Sequence, residues 1–194
     1  MSQGGRRVSR RAFLRRLAGL AAGLGTGLAG ASWKALAADD PLITRAIHAT
    51  GERVPVIGMG SSLTFDVGDD PVARAVRVQV LQAFFDHGGA FIDSSPMYGF
   101  SEDVIGHCLA SIKNDTALFS ATKVWTPGQR RGRRQMKRSM GLWGLEAFDL
   151  MQIHNMLDWE SHLETLKQWK EEGRIRYVGI TTSHGRRHER LEKA

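Results

Sequence analysis

Apolar strands alternate with helices between residues 54 and 181, polar residues stand at the strand ends, and the first strand-to-helix turn lacks a dinucleotide-type glycine pattern. Together these predict an α/β fold, and within it part of a (β/α)8 TIM-type barrel with about five of its eight strand–helix units. Alternation at this spacing requires right-handed crossovers and a parallel sheet. The turn Gly58-Met59-Gly60-Ser61-Ser62 does not have the spacing with which an open doubly wound sheet cradles a pyrophosphate. Polar residues closing several strands suit a barrel, whose chemistry is built from strand-end loops.

The elements follow in order. Residues 43–50 and 53–59 flank Gly51-Glu52 as a hairpin, and residues 54–60 lead into the first barrel strand. Asp69-Asp70-Pro71 supplies caps and a first-turn proline for a helix whose apolar positions are Val72, Val76, Val80, Leu81, Phe84 and Phe85, stopped by His87-Gly88-Gly89. A strand at 91–93 precedes a helix over 101–112, with Ser101 as its cap. Further strands are predicted at 117–124, 149–153 and 176–181, and further helices at 130–141 and 159–171, the latter ending at Gly173.

Charge separates the first 37 residues from the rest. The chain has 194 residues and a net charge of +7, but seven of its 27 Lys/Arg and none of its 20 Asp/Glu fall in residues 1–37. The remainder is balanced, which argues against a nucleic-acid-binding role. Ser9-Arg10-Arg11-Ala12-Phe13-Leu14-Arg15 resembles the twin-arginine export motif. A weakly apolar Gly/Ala/Leu stretch over 17–30 and the small residues of Ala35-Leu36-Ala37 complete a signal peptide. Residues 1–37 are therefore expected to meet the twin-arginine export machinery, and residues 38–194 to reach the periplasm or another exported location. The single cysteine, Cys108, reads as a small packed side chain on a helix. The seven histidines show no ligand spacing; His184 and His188 are four apart without a carboxylate-bearing pattern, and no metal site is expected. The run Arg130, Arg131, Arg133, Arg134, Lys137 and Arg138 reads as a solvated helix face. Trp125 either lines a substrate mouth or covers the barrel rim.

Three segments carry chemistry. Phe91-Ile92-Asp93-Ser94-Ser95-Pro96-Met97-Tyr98-Gly99 leads to Ser101-Glu102-Asp103-Val104-Ile105-Gly106; Ser120-Ala121-Thr122-Lys123-Val124 follows, and then Phe148-Asp149-Leu150-Met151-Gln152-Ile153-His154-Asn155. Over roughly residues 43–184 this resembles the aldo-keto reductase family. The resemblance implies a reduction of a small carbonyl substrate by hydride from NADPH, with Tyr98 as proton donor, Lys123 and Asp93 tuning it, and His154 placing the substrate oxygen. A free phenol with a pKa near ~10 is a reluctant acid at neutral pH; a nearby ammonium is expected to lower it, and Asp93 to orient that ammonium. Gly60, Ser61, Asp93, Thr181 and Thr182 are the expected cofactor contacts.

Thr181-Thr182 stand where many relatives carry Ser-Asn, and threonine lacks the paired donor and acceptor of an amide. By the same resemblance the chain stops after the fifth strand, short of the units that clamp the cofactor phosphates. An incomplete barrel would expose sheet edges and apolar surface, favouring self-association. The alternatives to an active reductase are an inactive truncated remnant and a non-catalytic interaction module.

Overall fold

The computed structural model describes residues 42–112, 118–183, 185 and 188–192. The expected signal peptide, Ala117 and His184 lie outside the described residues. Strands β1 (Thr44–Ala46) and β2 (Arg53–Pro55) form an antiparallel hairpin. Then come β3 (Met59–Gly60), α1 (Pro71–Asp86), β4 (Phe91–Asp93), α2 (Ser101–Ser111) and β5 (Phe119–Val124). The chain continues through α3 (Gln129–Trp143), β6 (Phe148–His154), α4 (Trp159–Glu171), β7 (Ile175–Thr181) and the short α5 (His188–Leu191). Strands β3 to β7 pair in chain order, all in parallel. This is the expected partial barrel: five parallel strands with helices in the crossovers.

Sequence and structure agree most closely where local chemistry is strong. Asp70 caps α1, its Oδ1 accepting from the backbone N–H of Val72 (2.9 Å) and Ala73 (3.1 Å), with Pro71 in the first turn. Such a cap is worth about 1 kcal/mol. The β1–β2 ladder is shorter than the predicted hairpin, although one further bond, from Val56 N–H to Ile43 O at 3.0 Å, extends past Pro55. One expectation fails. Ser101 does not cap α2: the N-cap is Phe100, without a side-chain bond, and the Ser101 hydroxyl instead donates to Ser61 O at 2.9 Å. On α1, Val72, Val76 and Val80 are exposed, and only Leu81 and Phe85 are buried. Leu81 and Phe85 join the core, and the valine stripe does not.

The core lies between the sheet and its helices. Ile92, Val124, Met151 and Ile153 from the strands pack with Leu81, Ile105, Met136, Trp143, Leu166 and Trp169. Each such side chain contributes roughly 1.5–3 kcal/mol on burial. Cys108 joins this core, and burial pushes its thiol up to about 11, so it is unreactive as a nucleophile.

At the strand starts, the rings of Phe91 and Phe119 stack at 5.0 Å, and those of Phe119 and Tyr177 at 5.9 Å. The hairpin loop is fastened there. Tyr177 Oη lies 2.8 Å from Thr50 Oγ1 and also bonds Glu52, which pairs with Arg176. The bonds from Arg176 and Tyr177 hold the Glu52 carboxyl below its usual range. One end of the sheet is thus closed by the hairpin, and the strand ends face the other way. Among the described residues no helix is long and apolar enough to cross a membrane.

Candidate active site

The strand register brings the site together. Gly60 pairs with Asp93, Lys123 with Gln152, and His154 with Thr181, all at the strand ends. Lys123 sits on β5, a strand buried along its whole length, and is itself 4% exposed, which excludes a solvent-seeking edge lysine. Its Nζ donates to Asp93 Oδ2 at 2.6 Å and to Ser94 O at 2.7 Å. A buried ammonium needs this degree of pairing to be tolerated.

Tyr98 is placed by two consecutive turns. Its N–H donates to Ser95 O at 3.0 Å, closing a turn with Pro96 in the second position, where a fixed φ is favoured. Ser101 N–H then donates to Tyr98 O at 2.9 Å, with Gly99 at φ +54°. A side chain at Gly99 would collide with the Asp66 carboxyl, which accepts from Phe100 N–H at 2.9 Å. The phenol therefore stands on a bracketed turn.

The Lys123 ammonium lies 5.3 Å from the Tyr98 ring centroid, over its face. Here the structure corrects an expectation. Lys123 is predicted to lower the phenol's pKa, yet burial, and then the negative charge of Asp93, hold it above the ordinary tyrosine value. The ammonium is turned to Asp93 and Ser94, and the ring sees it only across its face.

Beside the phenol lies a cleft of about 340 Å³ lined by Gly60, Ser61, Ser62, Thr64, Asp93 and Tyr98. Of the expected cofactor contacts, Gly60 lines this cleft with open space where a Cβ would stand. Ser61 is fully buried, its hydroxyl donating to Asp93 O at 3.0 Å, so it also supports the strand end. Thr181 lies at the end of β7 with its Oγ1 2.7 Å from His154 Nδ1, and Thr182 follows, half-buried. His154 is 8% exposed, and the Trp125 ring meets it edge-on at 6.4 Å. Trp125 is exposed, and its backbone N–H and C=O are both bracketed by the Gln135 amide, at 2.7 and 3.3 Å.

Two supporting residues escape a reading of the sequence. Gln152 Nε2 donates to Asp93 Oδ1 at 3.0 Å, so both Asp93 oxygens are held, one by Lys123 and one by Gln152. Gln152 is two residues before His154 and thus shares its face of β6, the one signal that could have found it. Glu102, 3% exposed, accepts from Thr122 (2.6 Å) on the lysine strand and from Ser139 (2.9 Å) on α3. Burial raises its pKa, and those two bonds act against the rise. After His154 the loop holds Asn155, Met156 and Asp158 at φ +55°, +54° and +49°. Asn155 is secured there by accepting from Ser183 N–H at 2.8 Å. Among the described residues no group of three or more His, Cys, Asp or Glu could hold a metal ion. Arg130, Arg131, Arg134, Lys137 and Arg138 are exposed on α3, as a solvated face requires.

Parallel strand ends thus bring together an Asp93–Lys123 pair, the Tyr98 ring above it, and His154 on the strand after that of Lys123. Residues 56–194 match the model of the aldo/keto reductase family, and the chain belongs to that family. It is 28% identical over 152 residues to L-galactose dehydrogenase of Arabidopsis thaliana, covering 71% of this chain and 47% of that protein. It is 30% identical over 156 residues to the aldo-keto reductase str7 of Strobilurus tenacellus, covering 73% and 46%. Among solved structures it resembles a thermostable aldo-keto reductase in complex with epalrestat, with a TM-score of 0.66, 22% identity and coverage of 78% and 58%. An aldo-keto reductase from Klebsiella pneumoniae in complex with NADPH gives a TM-score of 0.64, 22% identity and coverage of 79% and 55%. The chain spans about half the length of the curated relatives it matches.

Proposed function

We propose that this chain carries the proton-donating site of an NADP-dependent carbonyl reductase. The observation that carries the reading is the Lys123–Asp93 pair at 2.6 Å with its ammonium over the Tyr98 ring. The cleft beside Tyr98 suits the nicotinamide end of the cofactor, with polar groups at the strand ends and the phenol on its wall. Gly60, Ser61, Asp93, Thr181 and Thr182 would hold that end. The reduced nicotinamide, when bound, supplies the hydride. Tyr98 gives its phenolic proton to the carbonyl oxygen, completing the alcohol. Lys123 offsets the negative charge left on the phenolate, and Asp93 with Gln152 keeps Lys123 in place. His154 donates to the same oxygen, and donors aimed at a developing alkoxide are often the largest electrostatic contribution. Support comes from family membership and from relatives solved with NADP or NADPH.

The test is NADPH oxidation followed at 340 nm with simple aldehydes. Wild type is expected to turn over, and Tyr98→Phe to lose at least about 100-fold, the lower range for a general acid. Equal rates in the two proteins remove Tyr98 from the mechanism.

For the N-terminal segment the proposal is twin-arginine export, carried by Arg10-Arg11 and the apolar stretch after them. Lysine at both positions should retain the protein in the cytoplasm; unchanged export refutes it. Self-association is the second reading. It is favoured by the exposed Val72, Val76 and Val80 and by an apolar cleft of about 460 Å³ at Leu42, Ile43, Val56, Ile57 and Phe84. Sedimentation of the 194-residue chain should give a dimer or larger, and a monomer at micromolar concentration contradicts it.

A further inference from the structure

We propose that the outer face of α3 is a peripheral docking surface for an anionic lipid membrane. Helix α3 carries six cations, Arg130, Arg131, Arg133, Arg134, Lys137 and Arg138, and no acid anywhere between Gln129 and Trp143. At helical spacing Arg130, Arg134 and Lys137 fall on one stripe with Arg131 and Arg138 beside it, and all five are exposed. The opposite side of the helix, from Gly132 through Met136 and Met140 to Trp143, is buried. The apolar face is therefore already used by the core, and the free face is purely cationic. Its stripe ends at Gly141, where a Cβ would meet open space.

Folding does not account for this face. Arg130 and Arg134, and again Arg134 and Arg138, are like charges four residues apart, an arrangement that weakens a helix. Arg130, Arg131, Arg133 and Arg134 also crowd the first turns, where the helix dipole favours acids, and the N-cap Gly128 offers no side chain. The nearby acids do not relieve the repulsion. Asp158 accepts from Gly128 N–H at 2.7 Å and from Ser161 Oγ at 2.9 Å, while Glu164 pairs with Lys167 and Glu172 with Arg174. Among the described residues no ion pair includes a cation of α3.

The chemistry of the face selects the partner. The core of a protein–protein interface is built on apolar and aromatic anchors, and this stripe has none. A nucleic-acid footprint makes a whole domain basic, whereas the chain after residue 37 is balanced in charge. An anionic lipid surface asks only for several cations on one exposed helical face, and each of them strengthens binding roughly fivefold. Such binding is electrostatic and weakens as salt screens it.

The test is co-sedimentation of the full chain with phosphatidylcholine vesicles, with and without phosphatidylglycerol. Arg6, Arg7, Arg10, Arg11, Arg15 and Arg16 are first replaced by glutamine, so that α3 is read without the cations of the N-terminal segment. The protein should bind the anionic vesicles in preference to the neutral ones, and added salt should release it. Arg134→Gln with Lys137→Gln should weaken binding to the anionic vesicles by about 25-fold, the factor for two cations. Arg134→Lys with Lys137→Arg should retain it, which separates a loss of charge from a loss of fold. Equal binding by the glutamine pair and its parent, or no preference for anionic vesicles, overturns the proposal. A DNA duplex bound as tightly as the anionic vesicles, with the same loss in the glutamine pair, also overturns it and makes the face a nucleic-acid site.

Discussion

Lys123 holds its ammonium 5.3 Å from the centre of the Tyr98 ring while giving its hydrogen bonds to Asp93 and Ser94. The phenol therefore experiences burial and the Asp93 charge more strongly than the lysine, and its pKa lies above the ordinary tyrosine value. In this state Tyr98 is a stored proton. Lys123 can act on it most strongly once negative charge appears on the phenol oxygen during reaction.

The first prediction concerns that proton. The chain has only two tyrosines, so Tyr177→Phe leaves Tyr98 as the sole phenol. Absorbance at 295 nm should show it ionising above the free-tyrosine value of ~10. Ionisation below that value would mean that Lys123 dominates after all. By the same sign, alcohol oxidation, which needs the phenolate, should rise only at alkaline pH.

The Asp93–Lys123 pair gives a stability prediction. Asp93→Asn leaves the Lys123 ammonium buried without its counter-charge, with only neutral oxygens to accept from it. The expected loss is about 3 kcal/mol, the low end for breaking a buried pair, because the Asp93 side chain is 32% exposed. Adding Lys123→Met should recover much of it. Urea denaturation of the single and double variants checks both, and additive losses would deny the coupling.

Gly106 marks the closest approach of two helices. A Cβ there would lie 1.8 Å from Leu142 O, a backbone atom of α3 that no rotamer change can move. Gly106→Ala should therefore cost at least about 3 kcal/mol, beyond ordinary overpacking. A melting temperature within a few degrees of wild type would contradict the packing described.

Glu102 yields a pH signature. Burial raises its pKa, so folding favours the protonated carboxyl. Below the ordinary glutamate value both folded and unfolded chains keep the proton and nothing is lost. As pH rises past it, the unfolded chain releases the proton more readily and the folded state loses stability. Glu102→Gln removes that loss, so thermal melts from about pH 4 to pH 7 should move progressively in the variant's favour. A constant offset across this range would show that the carboxyl does not titrate as described.

The site was legible where residue type and strand end coincide. Asp93, Tyr98, Lys123 and His154 each follow an apolar strand, and the barrel's geometry requires such positions to converge. What escaped were contacts fixed by register. Gln152 meets Asp93 across 59 residues of sequence, and Glu102 joins Thr122 to Ser139 behind the sheet. Neither has a local signature, because each depends on which strand lies beside which. Ser101 shows the converse: it has the residue type of a cap, yet its hydroxyl serves Ser61 O. The exposed valines of α1 show that helical spacing identifies apolar stripes without saying which of them finds a partner. The direction of the Tyr98 shift was missed because the ammonium's orientation toward Asp93 is a tertiary fact.

The central claim is that these strand ends form a nicotinamide site, and NADPH binding tests it most directly. NADPH fluorescence titrated against the purified chain should change saturably in the micromolar to sub-millimolar range, and Asp93→Asn should weaken it. A folded wild-type protein that leaves the NADPH signal unchanged throughout that range would contradict the claim and leave the four residues as the remnant of a reductase site.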